Sequence, residues 1–360
     1  MKKIGILTWH YLENNGSALQ AYALQQTINS LGYEAVIINY CCSNSISRLR
    51  KILKKNKFIL MVKRKIFNST RQNRFYDFQN NFLNMSQLFF SYHELSNIND
   101  FYDAFLCGSD QIWSPNLLDP VYCLNFVKDN KLKISYAPSV VIDNFHIEQK
   151  EIFKKCLTNI NFISVRENKG ADIVKKITGR DAEVVLDPTF LISSVQWTKI
   201  AVEPNLDCKY ILCYMLGDNI QHRKCITQMQ KKYGYKIVTL LFSKADSNFG
   251  DFIRKNDGPR EFLGLIKNAE IVCTDSFHGV ALSLNYGKNF VVFERFKRED
   301  IICQNDRLYN ILSKLNLMDR IINSEAKLEN LDMDINYKEV NILLDKEKNN
   351  SMMFLKRALK

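Results

Sequence analysis

Residues 269–287 read AEIVCTDSFHGVALSLNYG. The stretch falls into three parts: a short apolar run rich in β-forming residues, a polar turn carrying Asp275, Ser276 and His278, and an apolar segment of helical length closed by Gly287. A buried strand passing through a tight turn into a helix is the repeating unit of a parallel sheet covered by helices. The spacing predicts the helix over Ser276–Tyr286, with Gly287 just past its last turn, where a left-handed residue ends a helix.

The same rhythm extends on both sides. KIGILTW predicts a first strand, the Asn14–Gly16 loop follows, and SALQAYALQQTINSLG keeps helical spacing with Ser17 as N-cap and Gly32 as the stop. EAVIINY completes a βαβ unit, and YDAFLCGS, LKISYAPS, FISVRE and AEVVLDPTFL each repeat the short apolar run ending in a polar turn. SSVQWTKIAVEPNLDCK, Ser193–Lys209, has no strong strand and reads as a linker. A second series then runs through YILCYML, RKCITQMQKKYG, YKIVTLLF, PREFLGLIKNA, EIVCTDS and NFVVFERF. The expected fold class is α/β, with two Rossmann-like domains facing a cleft. The first spans 1–195 with a basic excursion near 46–90, the second spans 205–335, and an amphipathic helix occupies 336–360.

A chain of 360 residues is long enough for two full cores. No apolar run reaches membrane-spanning length. The two N-terminal lysines precede an apolar run too short for an export signal, so the expected location is cytoplasmic. The ten cysteines form no CxxC pair and mostly sit in apolar strands, and the five histidines are scattered, so no metal site is expected.

The formal net charge of +12 favours an anionic partner: phosphate, nucleic acid or an acidic membrane surface. Much of the charge lies in RLRKILKKNKFILMVKRKIFNSTRQNR, Arg48–Arg74, which holds no Asp or Glu and interleaves Leu, Ile, Phe and Met. A basic amphipathic segment suits an anionic membrane, where each nearby cation contributes about 1 kcal/mol; a solvated excursion fits the same composition. Nucleic acid is not expected, since no recognised motif or stacking platform accompanies the charge.

Ligands of open α/β sheets collect outside the carboxyl ends of strands. Polar clusters stand at four such ends: Trp9-His10 with Asn14–Ser17, Gly108–Gln111, Arg166–Asn168, and Asp275–His278. Each admits two readings. His278 is an acid-base catalyst or a hydrogen-bonded histidine beside a core helix. Arg166 faces an anionic ligand or pairs with Glu167 or Asp187. Asp110 handles a hydroxyl or caps the next element, Asp275 orients His278 or caps its helix, and Arg307 closes over a ligand or caps. Neither a dinucleotide fingerprint nor a P-loop pattern is present.

NNGSALQAYAL, YDAFLCGSDQIW, ISVRENKGADIV with LDPTFLI, and EFLGLIKNAEIVCTDSFHGVALSLNYGKNF followed by NDRLYNIL resemble the polysaccharide pyruvyl transferase family, in the family's order between Ile4 and Arg320. The resemblance implies a fold like the two-domain GT-B glycosyltransferases, with the acceptor on the N-terminal side and the donor on the C-terminal side. It implies transfer of a pyruvyl group from phosphoenolpyruvate to a sugar of a surface polysaccharide or its lipid-linked precursor, forming a cyclic ketal without a further cofactor. A lipid-linked acceptor would place the protein at the inner face of the membrane.

Such chemistry needs cationic groups and helix N–H donors for the donor anion. It also needs an acid-base side chain that titrates near neutrality, as histidine ordinarily does. The residues so implied are His278 and Asp110 for catalysis, Arg166, Ser276, Gly279, Arg295 and Arg307 for the donor, and His10, Asn14, Asn15, Gly16 and Gln111 for the acceptor. One departure stands out: some family members carry an arginine where this chain has Ser276. Two rival expectations remain, a GT-B glycosyltransferase using a nucleotide sugar and a non-catalytic carbohydrate-binding protein.

Overall fold

The structure, a computed structural model, describes residues 1–11, 13–41, 69–140, 145–297, 299–300, 303–323 and 328–360. They form two compact units, one of residues 1–188 with 352–360, the other of residues 189–351.

Unit 1 holds β1 (Lys3–Leu7), α1 (Asn15–Ser30), β2 (Glu34–Ile37), α2 (Thr70–Phe82), α3 (Tyr92–Ser96), β3 (Ala104–Cys107), β4 (Leu132–Ser135), α4 (Ile147–Thr158), β5 (Phe162–Val165), α5 (Asn168–Thr178) and β6 (Glu183–Val184). The strands are all parallel, in the order β2-β1-β3-β4-β5-β6. Central strands such as AFLC of β3 are buried at every residue, because helices cover both faces of a parallel sheet. Chain direction across the sheet reverses between β1 and β3, which makes their carboxyl ends the switch point where an open α/β sheet leaves a crevice.

Helix α1 carries apolar residues around most of its circumference, including Ala18, Leu19, Ala21, Ala23, Leu24 and Ile28. It starts earlier than its sequence predicts. Asn14, and not Ser17, is the cap, with Oδ1 accepting from the backbone N–H of Gly16 (2.9 Å) and Ser17 (3.2 Å). The Ser17 hydroxyl turns instead to Asp110. Gly32 takes the expected left-handed conformation, φ 90°.

Unit 2 holds α6 (Ser194–Ile200), β7 (Tyr210–Tyr214), α7 (Ile220–Tyr233), β8 (Lys236–Leu240), β9 (Phe252–Arg254), α8 (Pro259–Asn268), β10 (Ile271–Thr274), α9 (Phe277–Asn285), β11 (Asn289–Phe293), α10 (Asp306–Lys314), β12 (Ile321–Ile322) and most of α11 (Tyr337–Ala358). Its strands are also all parallel, ordered β12-β11-β10-β7-β8-β9. Read from β7, this is the doubly wound order of dinucleotide-binding sheets, with its switch point between β7 and β10. The stretch 269–287 is β10, a turn and α9, closed by Gly287 at φ 63°.

Within Ser193–Lys209, α6 opens with a Ser193/Gln196 capping box and buries Trp197, whose Nε1 donates to the Thr189 carbonyl (3.2 Å). The basic excursion expected near 46–90 lies outside the described residues as far as Asn68; within its remainder α2 opens with a Ser69/Gln72 capping box. At the other end of the chain, Phe354 packs on Tyr136 (6.2 Å between rings), and the Tyr33 hydroxyl donates to the Leu359 carbonyl (2.8 Å). Among the described residues no helix is long and apolar enough to cross a membrane.

Candidate functional site

The carboxyl end of β10 is stitched to β7. Thr274 Oγ1 donates to the Tyr214 carbonyl (2.7 Å) and accepts from the Ser276 N–H (3.0 Å). The Asp275 carboxylate accepts from the N–H of Leu216 (2.7 Å) and of Gly217 (2.8 Å). It therefore neither caps α9 nor orients His278; it locks the turn after β7 across the switch point. Burial pushes its carboxyl group upward in pKa, opposed by the Leu216 N–H, the charge of Arg295 and the Gly217 N–H.

Ser276 occupies the N-cap position of α9, yet its side chain makes no capping bond. His278 is the second residue of the helix, buried, with its ring edge-on to Phe277 at 5.4 Å. Gly279 follows, and its Cα passes close to Thr274.

Arg295 lies just beyond β11. A Cβ at Gly217 would stand 3.1 Å from Asp275 Oδ2 and 3.2 Å from Arg295 Cγ, so glycine is what lets that side chain lie across the turn. The Arg295 guanidinium stacks over Phe296 at 4.8 Å, and its Nε is buried with no hydrogen-bond partner. Arg223 is differently placed. It is buried and donates to the carbonyls of Gly217 (3.1 Å) and Asn219 (3.2 Å) and to Ser243 Oγ (3.1 Å), while pairing with Asp246. Beside it, His222 stacks on Phe293 at 4.8 Å, and burial with the Arg223 charge pushes its pKa down to about 4.

Ser276, His278, Gly279 and Arg295 thus share one edge of the unit 2 sheet. Arg307 is the second residue of α10, where its guanidinium donates to Gln304 Oε1 (2.9 Å) and to the Gln304 carbonyl (3.3 Å) ahead of the helix.

Arg166 belongs to unit 1. Its guanidinium donates to Asp187 (2.8 Å) and lies 3.8 Å from Glu167, so both carboxylates that its sequence context offered are engaged. Asp187 also accepts from the Ser109 hydroxyl (2.7 Å), and Glu167 from the Val140 N–H (2.7 Å). A guanidinium flanked by two buried carboxylates is neutralised in place.

Asp110 sits at φ 76° on the carboxyl edge of β3, a left-handed conformation uncommon outside glycine. Its carboxylate accepts from the Gln111 N–H (2.8 Å) and from Ser17 Oγ, and it caps no helix. His10 is buried between the Thr8 carbonyl (3.0 Å) and the Asn39 carboxamide (3.1 Å), and burial lowers its pKa against the opposing pull of both partners. Asn14 is the cap described above, Gly16 donates to it, Gln111 is half-buried, and Asn15 is buried in the first turn of α1. The sequence reading gave no part to Leu216 and Gly217, whose N–H groups hold Asp275. Both stand in LGDN, a polar turn after an apolar strand like the others, which was the available signal. Among the described residues no three His, Cys, Asp or Glu side chains group as a metal site.

A family model described as polysaccharide pyruvyl transferase matches residues 14–295. Solved structures share the fold across the whole chain. The UDP-GlcNAc 2-epimerase of Neisseria meningitidis bound to UDP-GlcNAc has 10% identity and TM-score 0.56, covering 100% of this chain and 99% of that one. The UDP-GlcNAc 2-epimerase of Methanocaldococcus jannaschii has 13% identity and TM-score 0.57, covering 97% and 94%. A spinosyn rhamnosyltransferase has 10% identity and TM-score 0.50, covering 99% of each chain. Identity this low carries the fold alone, and the fold is the expected two-domain, Rossmann-like α/β architecture. No curated protein matches the sequence.

Proposed function

The chain belongs to the polysaccharide pyruvyl transferase family, and from that premise we propose that it moves a pyruvyl group from phosphoenolpyruvate onto two hydroxyls of a sugar in a surface polysaccharide or its lipid-linked precursor. A proton adds to the enol methylene, and the central carbon gains oxocarbenium character. One sugar hydroxyl bonds to that carbon and loses its proton, the bond to the phosphate oxygen breaks, and inorganic phosphate leaves. The second hydroxyl then closes the cyclic ketal and releases the remaining proton.

What supports this reading is the edge that carries His278 in the first turn of α9 with Arg295 beside Asp275 and Gly217. A helix N-terminus and a guanidinium with an unpaired N–H both favour a carboxylate or phosphate. The imidazole of His278 supplies an acid-base group at the same edge, a contribution worth about 10²–10⁴ in rate. His278→Ala should therefore lose about that factor in turnover while keeping the wild-type unfolding midpoint.

The test incubates the full chain with phosphoenolpyruvate and an oligosaccharide acceptor, following phosphate release and product mass. A product heavier by a pyruvylidene group, made by the wild type and not by His278→Ala, is the expected result. A glycosyl product from a nucleotide sugar, or folded protein that ignores phosphoenolpyruvate in calorimetric titration, overturns the proposal.

A further inference from the structure

Two thiols meet where α4 packs against the single helical turn Pro120–Cys123. Cys123 is the last residue of that turn and belongs to the apolar core of unit 1, 1% exposed. Cys156, in the last turn of α4, packs against the same core but is half-buried. Trp113 fixes the approach from both sides. Its ring lies edge-on to Phe153, one turn before Cys156, at 5.4 Å, and its Nε1 donates to the carbonyl of Tyr122, the neighbour of Cys123 (3.2 Å). Tyr122 in turn packs on Trp9 (6.5 Å) and Tyr40 (5.8 Å), so aromatic contacts hold the turn that carries Cys123.

The Cys123 thiol donates to the Cys156 sulfur. That bond pulls the Cys156 thiol below its ordinary pKa, against burial and with help from the Lys155 charge. The same bond, with burial and the charge of Cys156, pushes Cys123 up. The last turn of a helix is a poor place for an anion, so the thiolate depends on the Cys123 thiol and on Lys155. The two sulfurs therefore differ in kind: the half-buried one is a nucleophile, and the core one keeps its proton.

Nearness alone does not make a reactive pair. Cys213 and Cys273 are register partners on the neighbouring strands β7 and β10, yet both are 0% exposed. Burial pushes Cys213 up to about 12 and Cys273 well above the ordinary thiol value. Neither offers an oxidant a thiolate or a path to one.

We infer that Cys156 and Cys123 form a modification site for hydrogen peroxide, with Cys156 as the thiol that is oxidised and Cys123 as the thiol that resolves it. The Cys156 thiolate attacks one oxygen of the peroxide, the O–O bond breaks, and the departing hydroxide takes up the thiol's proton as water. Cys156 then carries a sulfenic acid. The Cys123 sulfur attacks the Cys156 sulfur, the S–O bond breaks, and hydroxide leaves with the Cys123 proton as a second water. Two thiols and one peroxide give one disulfide and two waters; the sulfurs lose two electrons and the peroxide gains them. The new bond ties α4 to the 120–123 turn, and thiol exchange with a reductant undoes it.

The test exposes the reduced full chain to millimolar hydrogen peroxide, blocks the remaining thiols by alkylation and maps the digest by mass spectrometry without reductant. A peptide pair joined through Cys123 and Cys156, lighter than the free peptides by two hydrogens and lost on adding dithiothreitol, is the expected result. Cys213 and Cys273 should stay reduced. In Cys123→Ser the bridge is gone and dimedone should capture a sulfenic acid at Cys156. In Cys156→Ser neither a bridge nor capture at Cys123 should appear. The first readout uses the wild type alone, so it decides even where a variant folds poorly.

Both thiols remaining free in peroxide-treated wild type would overturn the inference, as would a bridge from either one to another cysteine. Cys156 driven to the sulfinic acid without a bridge would show that Cys123 does not reach it. Dimedone capture at Cys123 in Cys156→Ser would overturn the assignment of the two roles. A Cys213–Cys273 bridge forming as readily would overturn the argument from exposure and thiolate character.

Discussion

Gly279 gives the sharpest test of how the histidine is held. A methyl group on its Cα would lie 2.5 Å from Thr274 Oγ1 and 3.0 Å from Thr274 Cβ and Cγ2, inside the separation of about 3.5–4.0 Å at which carbon atoms rest. Gly279→Ala therefore forces α9 away from β10 or turns Thr274 aside. The first route is overpacking, costing about 1–3 kcal/mol. The second gives up the bonds to the Tyr214 carbonyl and the Ser276 N–H, each contributing about 0.5–1.5 kcal/mol. Alanine returns about 0.8–1 kcal/mol of helix propensity, so the net loss should be about 0–2 kcal/mol.

Because His278 precedes Gly279 on the same turn, the helix shift also moves the imidazole. Misplacement of about 1 Å costs about 10²-fold in turnover. Thr274→Ala removes Oγ1 and Cγ2 and leaves Cβ, at 3.0 Å, as the remaining close atom. In that background Gly279→Ala should cost less than in the wild type, a difference that appears as coupling in the four-protein cycle. Urea midpoints of the four proteins, with phosphoenolpyruvate turnover of the wild type and Gly279→Ala, provide the check. Equal penalties in both backgrounds would show that the glycine has nothing to do with Thr274, and the packing argument for the histidine would fail with it.

The remaining predictions concern pH and membranes. His222 titrates near 4 in the fold against 6.5 when unfolded, so the fold favours the neutral ring. Its contribution is complete above about pH 6.5 and is lost as pH falls from there toward 4; the full shift corresponds to about 3 kcal/mol, reduced to about 1–2 kcal/mol by screening of a partly exposed ring. His222→Gln should flatten the stability slope between pH 6.5 and 4 relative to wild type, and parallel urea-midpoint curves would reject the assignment. Replacing the lysines and arginine between Lys51 and Lys65 with glutamine should abolish sedimentation with phosphatidylglycerol vesicles, and unchanged sedimentation would reject membrane contact.

Much of the fold was legible because parallel strands are buried on both faces. FLC, ILC and IVC therefore appear as unbroken apolar runs ending at polar turns. The strands that escaped notice are β9 and β12, at three and two residues, too short to show a period. Site residues were harder for a different reason. Sequence shows which side chains stand at strand ends; it does not show which are already bonded within the chain. Ser17 and Asn14 are both good caps, and the choice was made by Asp110, 93 residues away. Asp275 looked like a local helix or histidine partner, but its acceptors face a turn 58 and 59 residues earlier. Arg166 was legible as needing an anion, and the anions proved to be the two carboxylates its own segment supplies.

The same bonding decides what each sheet edge offers a ligand. In unit 2 the Asp275 carboxylate is occupied by two backbone N–H groups and Arg223 by Asp246, which leaves Arg295 and the start of α9 as electropositive features. In unit 1 the strand-end Arg166 is flanked by the Asp187 and Glu167 carboxylates, and the carboxylate of Asp110 is held by the Gln111 N–H and the Ser17 hydroxyl. A net charge of +12 would suggest an anion site in either place. The side chains left unopposed at a strand end, more than the total charge, decide which edge suits an anion, and Arg295 with the start of α9 is such an edge.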